Sequence, residues 1–291
     1  MTPGSLFGQR RRRFEEKFFK GLMYFSTFLV VGSLLLIVLT IIWKGLPSLS
    51  LSMITQTPRG GYYLGKEGGI LNAIVGSLYL AGGATLLAIL LSLPVVLYLN
   101  LYTRAYSPLA NFVRFSFDVL WGIPSIVFGA FGFVIMVFLG IKTSLLAGII
   151  TVALLEFPIM SRAIDEVVRL VPRDLKDASY SLGATKLETA LKVVFKQSLP
   201  GIVTGVLIAF GRGIGDAASV LFTAGFTDRV PTSLFQPAAT LPLAIFFQLG
   251  TPFPEVRQRA YASAAVLTIL ILVISLVSRS LVKRYTKHTI T

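Results

Sequence analysis

Six long apolar runs divide the chain, near residues 22–43, 70–99, 119–139, 143–160, 199–222 and 260–282. A helix needs about 20 apolar residues to cross a hydrocarbon core roughly 30 Å thick. The pattern therefore predicts an all-α, polytopic membrane protein with about six transmembrane helices. The connections are unequal. A Gly-rich segment, 44–69, follows the first run, a loop at 100–118 the second, and a short turn at Gly140 to Lys142 the third. Segment 161–198 is the longest polar stretch and the most charged. Stretch 223–259 is partly apolar and carries Pro231, Pro237, Pro242, Pro252 and Pro254, with room for a short re-entrant or surface helix at Leu241 to Leu249.

Composition agrees with this pattern. Hydrophobic residues make up 54% of the 291 and charged residues 14%, against roughly 25% charged in soluble domains. Arg10 to Arg13 precede the first run as they would in a signal peptide. That run is too long for a signal core, and no small-residue cleavage site follows it, so it reads as a retained span. The chain has no cysteine, and its single histidine, His288, lies in the basic tail. Disulfides, thiol chemistry and an imidazole metal cluster within the chain are excluded.

The net charge of +14 suggests nucleic acid until the charges are placed. With a cytoplasmic N-terminus, nineteen of the twenty-seven Lys and Arg fall on the cytoplasmic side, seven on the other, and Arg212 within a span. Membrane proteins concentrate Lys and Arg in cytoplasmic loops. Both termini are therefore expected in the cytoplasm, and the charge requires no nucleic acid.

Segment 161–198 carries strong local signals. Pro172 suits a first helical turn, and Asp174 and Asp177 complement the positive end of its dipole. Leu175, Ala178 and Leu182 share a face before Gly183 offers the positive φ that ends a helix. Thr185 and Glu188 form a capping-box pattern for a second helix, striped by Leu187, Leu191 and Val194. The two apolar faces either dock a partner or rest on headgroups and on the chain's own spans.

Asp177-Ala178-Ser179, Gly183 and Leu199-Pro200 resemble the EAA…G…LP loop of ABC importer permeases, with Asp177 and Ser179 replacing the commoner Glu and Ala. Further stretches resemble PstA-type phosphate permeases: Gly68 to Ile74 with Gly76-Ser77, Gly122 to Val127, Val171-Pro172, and Gly211-Arg212 through Leu221 to Gly225. Where that family commonly has Gly-Glu-Thr-Ala, this chain has Gly215-Asp216-Ala217-Ala218.

The resemblance implies a type I (MetI-like) permease fold in the cell inner membrane, with a core at 68–283. An arm, first span and outer loop (1–67) precede it and a tail (284–291) follows. It implies that Arg173, Asp177, Ala178, Ser179, Gly183 and Lys186 dock a separate ATPase present in two copies. ATP and magnesium would reside on that ATPase, with no cofactor in this chain. The further implied partners are a homologous PstC-like permease, an extracytoplasmic phosphate-binding protein and membrane lipid. Rival readings are a permease for sulfate or molybdate, and an ion-coupled secondary transporter, for which no inverted repeat is visible.

Gly60 to Lys66 has Walker A spacing, but Glu67 stands where Ser or Thr should hold magnesium and no apolar strand leads in. The chain is thus expected not to be an enzyme. Arg212 and Asp216 stand four apart inside the fifth run, hence on one helical face. Guanidinium suits phosphate geometry, so either Arg212 contacts a transported anion with Asp216 as its holder or gate, or the two neutralise each other and fix packing. Gly201, Gly205, Gly211 and Gly215 repeat at spacings that permit close helix approach. Pro124-Ser125 breaks or kinks the third span. Glu156, near the cytoplasmic edge, reads as a snorkelling or locally paired carboxylate rather than a proton relay, and Trp43, Tyr106 and Trp121 as interface anchors.

Overall fold

A computed structural model describes residues 4–59, 67–104 and 107–285. The Gly60–Lys66 motif, Tyr106 and His288 lie outside them. In chain order the helices are α1 (Gly4–Gly45), α2 (Leu51–Thr55), α3 (Leu71–Leu101), α4 (Pro108–Trp121), α5 (Ser125–Phe138), α6 (Leu145–Arg169), α7 (Arg173–Ser181), α8 (Lys186–Glu188), α9 (Phe195–Gly215), α10 (Leu241–Leu249) and α11 (Pro254–Tyr285). β1 (Pro58–Arg59) and β2 (Glu67–Gly68) pair antiparallel, with Pro58 opposite Gly68. Five helical segments are long and apolar enough to cross a membrane, and the bent pair α4–α5 makes a sixth if counted as one span.

The ends of these helices follow from the sequence. Ser107 precedes Pro108 and caps α4 by accepting from Ala110 N at 3.1 Å, while Ser144 caps α6 through Ala147 N at 3.3 Å. Each side-chain oxygen satisfies an amide that the helix leaves free. Where the run 119–139 reads as one span, the chain breaks instead. α4 and α5 meet at 102° across Gly122 to Pro124. Pro124 lacks an N–H and disfavours helix at the residue before it, so the ladder cannot continue. The α4 helix also occupies most of what reads as the loop 100–118.

The core is α3, α6 and α9. Ala84, Val152 and Val220 pack in one buried cluster, and Ala88, Val96, Met160, Ile164, Val194, Ile202 and Ala209 in another. Small residues on α3 let backbones approach: a Cβ on Gly76 would overlap the Ala239 carbonyl oxygen. Helix α1 touches the body chiefly along α11. Near its end Lys44 Nζ donates to Tyr261 Oη at 3.4 Å, and Gly45 fits against Ala265. Elsewhere α1 presents apolar side chains outward, Phe28 and Leu36 among them, as a lipid-facing span must.

Two further boundaries differ from the sequence reading. Segment 161–198 is not wholly outside the spans: α6 runs to Arg169, and α8 continues through a π-helical turn, Thr189–Val194, straight into α9. At its other end α9 stops at Gly215 rather than near 222. Gly211, Gly213 and Gly215 have weak helix propensity, and Asp216 offers its carboxylate to the backbone in place of a further turn.

An ion pair that the sequence reading did not find joins α4 to α6. Arg114 Nε donates to Asp165 Oδ2 at 2.8 Å and Nη2 to Oδ1 at 3.2 Å, with the Asp165 side chain 0% exposed. Asn100 of α3 donates to Asp165 Oδ1 at 2.7 Å. Removing one member strands a buried charge at a cost of about 3–5 kcal/mol. Arg114→Ala should therefore lower the thermal stability of the purified protein strongly, and Arg114→Met with Asp165→Leu should recover most of it. Equal stability of Arg114→Ala and wild type would remove this pair from the fold's supports.

Candidate functional site

Two regions hold the residues that sequence singled out, and one continuous helix connects them. The first lies between α6 and α9. Pro172 opens α7, and Gly183 takes φ +81°, where its N–H donates to Tyr180 O at 2.9 Å and the Ala184 N–H to Ser179 O at 3.2 Å. A side chain at 183 would meet open space, so the requirement for glycine is conformational rather than steric. Thr185 and Glu188 close the expected capping box, with Glu188 N donating to Thr185 Oγ1 at 3.2 Å and Thr185 N to Glu188 Oε2 at 3.0 Å.

This geometry splits the expected docking set. Leu175 turns inward against the core. Arg173, Asp177, Ala178 and Gly183 are exposed, beside Leu170 at 80% and Leu182 at 89% exposure. Ser179 is held inward by a 2.9 Å bond between its Oγ and Thr189 Oγ1. Lys186 lies over the Tyr102 ring at 5.5 Å, tying the loop to the end of α3. Partial burial pushes the Lys176 ammonium below its usual value; neighbouring Arg173 adds to this and Asp177 opposes it. The result is an apolar-tipped projection ringed by charge.

The second region is the far end of α9. Counting at 1.5 Å per residue, Lys186 and Arg212 stand about 39 Å apart along one rod. Ile202, Gly205, Ala209 and Gly213 form its buried face. Thr204, Ile208, Arg212 and Gly215 form an exposed stripe directed away from the chain's own core. Asp216 does not share that helical face. It sits past the helix end at φ −85°, ψ 121°, and its Oδ2 accepts from Ser219 N at 2.9 Å. Among the described residues no ion pair joins it to Arg212. The self-neutralised pair is therefore not what this chain builds.

The glycines also divide. A Cβ on Gly201 would overlap Val167, and one on Gly205 would lie 3.1 Å from Ala163 Cβ, so these two serve packing on α6. Gly211 and Gly215 have nothing within 4 Å of such a Cβ among the described residues, so they pack against no helix of this chain. Gly215 instead lines a cavity of about 510 Å³ with Ala217, Pro242, Ile245, Phe246 and Leu249. Its wall is apolar and belongs largely to α10, the short helix that sequence placed at Leu241 to Leu249. Thr240 caps that helix, and Ser77 of α3 anchors its start by accepting from Leu241 N at 2.8 Å.

Of the two alternatives for Glu156, the locally paired carboxylate is the one the structure holds, at a depth other than the expected cytoplasmic edge. It lies at the middle of α6, fully buried, and accepts from Thr85 Oγ1 at 2.9 Å, so it does not snorkel from an edge. Among the described residues no group of three His, Cys, Asp or Glu could hold a metal ion.

Residues 97–290 match the family described as binding-protein-dependent transport system inner membrane component. The chain belongs to this family. It is 34% identical over 269 residues to the phosphate transport system permease protein PstA of Haemophilus influenzae, covering 92% of this chain and 94% of that one. It is 35% identical over 246 residues to the PstA of Yersinia pestis, at 84% and 82% coverage. Among solved structures, the inward-facing MetNI methionine ABC transporter matches with TM-score 0.60 at 21% identity, covering 74% of this chain and 95% of the matched chain. That likeness establishes a MetI-like permease fold. In this inner membrane component, α7 and α8 form the exposed projection, and the outward stripe of α9 carries the one arginine of that helix's membrane-embedded part.

The role found for Asp216 can be tested. Asp216→Ala should cost about 1 kcal/mol by freeing the Ser219 amide, whereas Asp216→Asn keeps an acceptor oxygen and should unfold close to wild type. If Asn proves as damaging as Ala in thermal unfolding of the purified protein, the charge matters and the capping account is wrong.

Proposed function

We propose that this chain is the PstA-type permease subunit of an ATP-driven phosphate importer, forming half of the translocation path. The observation that carries the reading is Arg212 on the exposed stripe of α9. A central arginine facing lipid costs roughly 2.5–3.5 kcal/mol even on the milder insertion scales. That cost is relieved if the stripe faces a second permease and a wet path between them. There the guanidinium offers a planar fork of donors suited to a phosphate oxygen pair. Phosphate, the cargo named for the PstA proteins of Haemophilus influenzae and Yersinia pestis, fits that chemistry.

In this reading the partner permease is PstC-like, and two ATPase copies bind the permease pair from the cytoplasm. A phosphate-binding protein delivers substrate outside. The chain hydrolyses nothing itself; ATP and magnesium belong to the ATPase. Both termini lie in the cytoplasm, because the projection at 170–185 then lies on the same side as the excess of Lys and Arg. The exposed Leu182 beside Asp177 and Ala178 suits a cleft on the ATPase. A movement there is delivered to Arg212 by the α8–α9 rod, whose π-helical turn at Thr189–Val194 marks where it can adjust.

Uptake of labelled phosphate in cells that depend on this permease tests the substrate contact. Arg212→Ala should lower uptake about 100-fold at normal membrane levels, and Arg212→Lys should retain part of it, since charge survives without the fork. Unimpaired uptake by Arg212→Ala would end the anion-contact reading. Excess sulfate or molybdate should leave wild-type uptake intact; suppression by either would reassign the cargo.

The docking surface has its own test. Gly183→Leu forces a side chain into left-handed backbone at about 1–2 kcal/mol. The variant should insert normally yet lose co-purification of the ATPase. Undiminished co-purification would remove this turn from the interface.

A further inference from the structure

Near the centre of α6 one carboxyl group touches three helices. Glu156 is 0% exposed. Its Oε2 accepts from Thr85 Oγ1 of α3 at 2.9 Å. Among the described residues its Oε1 has no hydrogen-bond partner, and it abuts Gly213 of α9, where an added Cβ would overlap it. Val152, one turn earlier on α6, bounds the same point, its Cγ1 3.0 Å from that Cβ position. A helix contact alone does not require a carboxyl. An apolar side chain of similar volume would pack there without the desolvation cost. A buried polar group in such a place selects one arrangement of its neighbours over near alternatives.

The arrangement selected is visible in the register of α9. Gly213 follows Arg212 directly, and successive residues on a helix are about 100° apart. Holding Gly213 inward therefore turns Arg212 outward, onto the exposed stripe. The hydroxyl of Thr85 fixes the carboxyl plane so that Oε1 meets the bare glycine.

We infer that Glu156 is a positioning residue that sets the rotation of the last turn of α9, and with it the point at which Arg212 reaches the path. The importance of this for transport rests on Arg212 meeting the anion; the geometric claim does not. The chain lacks cysteine, so Arg212→Cys gives a single reporter thiol. Its rate of reaction with a water-soluble methanethiosulfonate is measured in membranes holding the assembled importer. Adding Glu156→Ala or Gly213→Ala should change that rate about tenfold, as a displaced side chain would. Glu156→Gln, which can still accept from Thr85 and has the same shape, should restore it to near the reporter's own rate. Thr85→Val removes only the donor and should move the rate in the same direction as Glu156→Ala. It carries the test if the alanine variants fail to assemble. Rates unchanged by Glu156→Ala, or by Thr85→Val in that event, would overturn the inference. None of these outcomes depends on which anion is carried, so a failure here is distinguishable from a failure of the phosphate reading. In uptake assays with arginine restored, Glu156→Ala should lower uptake at normal membrane levels, yet add nothing further in an Arg212→Ala background. An additive loss would mark a general structural defect and contradict the positioning role.

Discussion

The absence of water around the membrane-embedded helices governs the rest of the structure. A polar side chain buried there has only other helices to bond, and an unmade bond costs about as much as the fold can spare. Helix α6 shows the consequence along its length. Asp165 holds Arg114 and Asn100, Arg162 reaches Asp118 at 3.0 Å, and Glu156 takes the hydroxyl of Thr85. Each bond runs to a different stretch of α3 or α4, so together they fix α6 in depth and rotation. With α6 held in this way, α9 lies against it through Gly201, Gly205 and Gly213.

That arrangement separates the work of the two ends of α9. Its buried face is committed to α6, and its exposed stripe is free to meet another subunit. At the opposite end from Arg212 the same helix begins at the Thr185 cap and is tied to α3 by Lys186 over Tyr102. A force applied at the projection thus has a stiff route to Arg212. Helix α10 and the turn after Asp216 close the other side, anchored on α3 through Ser77 and Asn72, whose Nδ2 donates to Thr227 O at 2.6 Å.

Much of this was legible in the residues wherever the signal is local. Apolar run lengths locate the spans, Pro172, Gly183, Thr185 and Glu188 specify the projection turn by turn, and the prolines around Leu241 to Leu249 outline α10. What escaped was tertiary. Arg114 and Asp165 are 51 residues apart and leave no periodic trace, so Arg114 was counted as a loop charge. The Ser107-Pro108 start and the apolar positions Leu109, Phe112 and Val113 did signal α4, but the flanking charges masked it. Hydrophobicity alone also carried the fifth span past Gly215, because Leu221 and Phe222 are as apolar in a turn as in a helix. Asp216 lost its helical register to the Ser219 amide for the same reason.

In the proposed function an ATPase docked on the projection drives phosphate past the exposed stripe of α9. The most direct measurement is labelled phosphate accumulation in proteoliposomes holding this chain with a PstC-like permease and the ATPase, with phosphate-loaded binding protein outside. Accumulation should require ATP and the binding protein and be indifferent to an imposed ion gradient. Accumulation driven by the gradient without ATP would contradict the proposed function.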